Sequence, residues 1–79
     1  MIRESLQALL LVCRKIQVAY GAASYELHDY EEGSFADFRV MRIKSVGELA
    51  DLTKDFQVSV FADEGHTIIR VYENYSEVY

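Results

Sequence analysis

The segment from Gln57 to Tyr72 constrains the fold more than any other part of the chain. It reads Gln-Val-Ser-Val-Phe-Ala, then Asp63-Glu64-Gly65, then His-Thr-Ile-Ile-Arg-Val-Tyr. Two runs rich in β-branched and aromatic residues flank an acidic turn that carries a glycine, the pattern of a β-hairpin. Side chains alternate between the faces of a strand, so chemistry tests the register. Pairing Ala62 with Thr67, Val60 with Ile69 and Val58 with Val71 gathers aliphatic residues on one face. Phe61, Ile68, Arg70 and Tyr72 then fall on the other.

A second hairpin is expected from Ser24–Tyr30 and Phe35–Ile43 around Glu31-Glu32-Gly33-Ser34. If Tyr30 faces Phe35, then Leu27 faces Phe38 and Tyr25 faces Val40 on one side. The other side pairs His28 with Asp37 and Glu26 with Arg39, both chemically complementary. Both hairpins are thus expected to close with an even loop of two or four residues.

Two helices separate the strand pairs. From Ile2 to Tyr20, the residues Ile2, Leu6, Leu9, Leu10, Cys13, Ile16 and Tyr20 repeat at three-and-four spacing, and Gly21 is placed to end the helix. Leu11, Val12 and Val18 widen the apolar stripe, predicting a helix buried over much of its circumference. A shorter helix is expected over Val46–Phe56, with Val46, Leu49, Ala50, Thr53 and Phe56 on its buried face. Ser45 and Glu48 form a Ser-x-x-Glu capping box ahead of it, a cap that contributes about 1 kcal/mol.

The order is α-β-β-α-β-β, an α+β chain whose residues 1–79 make one domain. A chain of 79 residues buries only roughly 60% of its unfolded surface, and 51% apolar composition with ten aromatics supplies a core for it. One four-stranded antiparallel sheet with two helices on one face would bury every apolar stripe. This order resembles a circular permutation of the ferredoxin-like βαββαβ fold. The resemblance implies a sheet order of third, fourth, second, first strand, against a sequential meander as the alternative, and implies nothing about activity. Glu73–Tyr79 either extends the last strand or packs as a tail.

Several function classes find no support in these residues. The lone Cys13 forms neither an internal disulfide nor a multi-cysteine zinc site, and it lies on an apolar stripe where core packing is its expected role. His28 and His66 are too few for a zinc site, the Asp-x-Asp-x-Asp-Gly spacing of a calcium loop is missing, and no catalytic constellation is present. No cofactor is expected. No secretory pattern or membrane-length apolar run occurs, so the expected setting is cytoplasmic. The net charge of −5 disfavours direct nucleic-acid binding, which depends on Lys and Arg releasing counterions from phosphates.

The charge is unevenly placed. Glu26, Asp29, Glu31, Glu32 and Asp37 lie within residues 21–38, which contain no Lys or Arg. The sheet face opposite the helices is expected to carry Tyr30, Phe35, Met41, Ile43, Phe61, Ile68 and Tyr72 beside Glu26, His28, Asp37, Arg39 and Arg70, an apolar area large enough to mark an interface, with Tyr, Phe, Met and Arg among the types enriched there. The expected function is non-enzymatic binding of a protein partner with a basic surface. The candidate contacts are Glu26, Asp29, Tyr30, Glu31, Glu32, Phe35, Asp37, Phe61, Ile68, Arg70 and Tyr72. Within that class, the short acidic chain suits an inhibitor of the phage anti-defence or anti-CRISPR kind, with carboxylates standing where phosphates would lie. The alternative is a homodimer or larger assembly built through the open sheet face or an edge strand.

Overall fold

The computed structural model describes residues 4–21, 24–54 and 56–75 of the chain, with the side chains of Asn74 and Tyr75 outside the description. The elements run α1 (Glu4–Ala19), β1 (Tyr25–His28), β2 (Phe35–Val40), α2 (Val46–Leu52), β3 (Phe56–Asp63) and β4 (His66–Tyr75). The strands form one antiparallel sheet in the order β1-β2-β4-β3. That is the order implied by the permuted ferredoxin-like arrangement, with β4 and β2 central. The meander is excluded.

Alternation along the strands explains the layers. Ala36, Phe38, Val40, Ile69 and Val71 face one side and are buried against Leu9, Val12, Cys13 and Ile16 of α1 and Leu49 of α2. Both helices therefore cover the same face. α1 ends where Gly21 takes a left-handed φ of 80°, which its missing Cβ permits. Lys44 completes that end: its Nζ donates to the Ala19 carbonyl and sits 5.1 Å from the Tyr20 ring centre, a cation where the helix dipole is negative. At the start of α2, the Glu48 amide donates to Ser45 Oγ at 3.2 Å, which is the expected cap.

The later hairpin has the expected register, with Ala62 opposite Thr67, Val60 opposite Ile69 and Val58 opposite Val71. Its two-residue turn places Glu64 and Gly65 at φ 47° and 81°. Two consecutive positive values are the type I′ geometry whose twist suits a tight hairpin.

The earlier hairpin keeps its expected faces but slides by two residues. His28 lies opposite Phe35, Leu27 opposite Ala36, Glu26 opposite Asp37 and Tyr25 opposite Phe38. The loop is then Asp29–Ser34, six residues, and the expected His28–Asp37 and Glu26–Arg39 cross-strand partners are not directly opposed. Ring packing favours the observed register. His28 stacks on Phe35 at 4.7 Å and Tyr25 packs on Phe38 at 5.1 Å, whereas solvent-exposed ion pairs contribute little.

The helices and strand ends also differ from the expected bounds and faces. Ile2 lies outside the described residues. Leu11 and Val18 are exposed, Val18 at 79%, because α1 packs through one stripe only. α2 stops at Leu52: Thr53 caps it by donating its amide to the Leu49 carbonyl, and Phe56 begins β3. Val46 and Ala50, expected on the buried face of α2, are exposed. Ile43 packs against the core cluster and not on the open face. β4 continues to Tyr75, so the segment after Tyr72 extends the strand, and the expectation for residues 76–79 lies outside the described residues.

Candidate functional site

The acidic loop between β1 and β2 is built from its two ends inward. Ser34 Oγ donates to Asp29 Oδ1, closing the base. The Gly33 amide donates to the Tyr30 carbonyl at 3.2 Å, turning the chain through Glu31 and Glu32. Both glutamates are therefore held at the apex of a hydrogen-bonded turn, exposed to solvent. Below them, Ser34 is buried and joined to β4 in both directions: its carbonyl accepts from the Glu73 amide at 2.7 Å, and its amide donates to Glu73 Oε1 at 3.1 Å. Ser5 Oγ of α1 donates to the second carboxylate oxygen. One buried carboxylate thus ties the loop, the helix start and the end of β4 together.

The open sheet face continues from this loop as a packed row. Tyr30, 53% exposed, lies 6.0 Å from Phe35, and Phe35 lies 6.2 Å from Tyr72. The Arg70 guanidinium sits 4.3 Å from the Phe35 ring centre and 5.0 Å from that of Phe61, a cation between two π faces. Asp37, directly opposite on β2, accepts from Arg70 Nε at 2.7 Å and Nη2 at 2.9 Å. These hydrogen bonds push the Arg70 pKa above its already high value and fix the fork in one plane. Arg39 pairs with Asp63 at 3.2 Å, and Tyr72 shares a hydrogen bond with Ser59.

Comparison with known protein families, curated proteins and solved structures gives no match.

The site residues expected from the sequence therefore separate into roles. Glu26, Tyr30, Glu31, Glu32 and Phe61 present exposed groups, and Asp29 is exposed while closing the loop. Phe35, Asp37, Arg70 and Tyr72 form a half-buried lattice that stiffens the face. Ile68 lies on the expected face but is only 6% exposed, a support for its neighbours and not a contact surface. His28 Nε2 stands 3.9 Å from both Glu26 and Asp37. Among the described residues, no group of three His, Cys, Asp or Glu is arranged to hold a metal ion. No helix among them is long and apolar enough to cross a membrane.

Glu73 carries no distinguishing signal in the sequence, where it reads as one acid in a polar terminal segment. No local pattern marks it, because its partners lie 39 and 68 positions away. The shallow groove of Leu11, Arg14, Lys15, Val18 and Leu52 on the helix layer was likewise hidden, since an apolar stripe alone does not show which part stays uncovered.

Cys13 takes no part in this surface. Its side chain is fully buried, and burial pushes the thiol up to about 12 from an ordinary value of 9.0. The folded chain keeps the proton that the unfolded chain releases, so this contribution is complete below pH 9 and is lost between 9 and 12. Stability is expected to fall in that window by roughly 1 kcal/mol per pH unit from this group. Urea titrations at pH 8 and pH 10 should show a smaller drop for Cys13→Ala than for the parent. Equal drops would remove the assignment.

Proposed function

We propose that the protein is a non-enzymatic binding protein whose acidic loop and open sheet face engage a protein with a basic surface. The observation that carries this reading is the charge left over on that side. Both arginines of the face are engaged internally, Arg70 by Asp37 and Arg39 by Asp63, so the outward charge comes from Glu26, Glu31 and Glu32. Glu31 and Glu32 stand on an ordered turn beside the exposed Tyr30, and Glu26 lies exposed on β1. A rigid array of this kind loses little freedom on binding, and its field steers a positive partner.

In its specific form, the reading is an inhibitor of the anti-defence or anti-CRISPR kind. It would occupy a nucleic-acid-binding groove in the cytoplasm, its carboxylates replacing phosphates. Direct binding of nucleic acid suits the surface poorly, because the arginines that could meet phosphates are already paired. Self-assembly through this face is also disfavoured, since a second copy would bring like-charged glutamates together.

The test is a binding screen against basic nucleic-acid-binding proteins, followed by competition with their nucleic acid. Reversal of both apex charges, Glu31→Lys with Glu32→Lys, is expected to weaken the complex by about tenfold or more and to flatten its salt dependence. An affinity and salt slope unchanged by the double reversal would rule out the acidic surface as the contact.

A further inference from the structure

The two edges of the sheet are protected very differently. β1 is four residues long and leads into the acidic loop. β3 is eight residues long, and its segment from Gln57 to Ala62 contains no charged residue and no proline. An exposed strand edge offers unpaired amides and carbonyls to another chain, and natural edges are usually blunted by charge, proline or short length. Among the described residues, only β4 pairs with β3.

The hairpin register fixes which groups are free. The turn closes at Asp63 opposite His66, so the ladder directs the amides of Asp63, Phe61 and Ser59 toward β4 and those of Val58, Val60 and Ala62 away from it. The helix layer does not reach this edge. Val60 is 48% exposed, and a cleft of about 360 Å³ lined by Val46, Leu49, Ala50, Phe56 and Val58 opens beside it.

We infer that β3 pairs antiparallel with β3 of a second copy, joining two sheets into one of eight strands about a two-fold axis at Val60. The edge is complementary to itself in this register. Val60 meets Val60, and Val58 meets Ala62, so the outward groups of these three residues form six hydrogen bonds. Their side chains extend the helix-covered core across the axis, next to the apolar cleft. Asp63 falls opposite Gln57 of the second copy, an acceptor against an amide. For a chain of charge −5, this uncharged edge lets two copies meet without opposing carboxylates. The acidic loops end up at the far ends of the assembly, because β1 and β3 are the opposite edges of each sheet.

Sedimentation equilibrium across the micromolar range tests the pairing. The parent is expected at twice the 9.1 kDa chain mass. Ala62→Lys, at an exposed position, and Val60→Lys should each raise the dissociation constant by about tenfold or more with unchanged circular dichroism. Hydrogen exchange should show the Val58, Val60 and Ala62 amides protected in the parent and exposed in Ala62→Lys, which carries the test if Val60→Lys fails to fold. A parent that stays monomeric overturns the inference. So does a dimer in which those three amides exchange freely, since it would use another surface.

Discussion

Replacing Phe38 with alanine is expected to lower the stability of the domain by about 3–5 kcal/mol. Phe38 is the largest fully buried side chain among the described residues. It lies on a central strand, opposite Ile69 on one side and Tyr25 on the other, within the single cluster that unites both helices and the sheet. Small domains hold only about 5–15 kcal/mol in total, and one of this size has few other large residues with which to refill the space. Urea denaturation followed by circular dichroism should show a large fall in midpoint with little change in slope. Phe38→Leu, which retains most of the volume, should fall much less. Equal stability of the alanine variant and the parent would contradict the core described above.

What the sequence revealed about this fold follows from periodicity. The faces of all four strands could be read because one side had to collect Ala36, Phe38, Val40, Ile69 and Val71, and a slip by one residue would have turned them to solvent. A slip by two changes no face, which is why pattern alone assigned the first hairpin a four-residue loop. The extra two residues are held by Asp29–Ser34 and by Ser34–Glu73 contacts, neither with a sequence signature. The same blindness explains Leu11, Val18 and Val46. Periodicity identifies residues that can be buried, but the width of the sheet decides how many are, and a four-stranded sheet leaves the outer parts of both helices bare. For the candidate site, the acidic cluster and the aromatic row were legible as composition. Their division into presented groups and supporting groups was not, because it depends on the Arg70 fork lying between Phe35 and Phe61.

Glu73→Ala is the second large effect, expected at about 2–4 kcal/mol. The carboxyl group is buried and accepts from the Ser34 amide and the Ser5 hydroxyl; the alanine leaves the buried Ser34 amide without that acceptor, and an unmet buried donor carries its full desolvation cost. The ladder is irregular at the same place. From Val58 to Phe56 the chain advances two positions on β3 while β4 advances four, from Val71 to Tyr75, with Glu73 between them. Alanine would therefore release a strand end, a helix start and the base of the acidic loop at once. Glu73→Gln keeps an acceptor for Ser34 and should cost less than half as much. Hydrogen exchange gives a readout that separates this from general loosening: in Glu73→Ala the Ser34 and Gly33 amides should lose protection while those of Phe38 and Ile69 keep theirs. The apex glutamates would then sit on a loose loop, so under the proposed function the affinity for a basic partner should fall although neither Glu31 nor Glu32 has been touched. If the loop amides and the affinity stay as in the parent, Glu73 is not what orders the acidic loop.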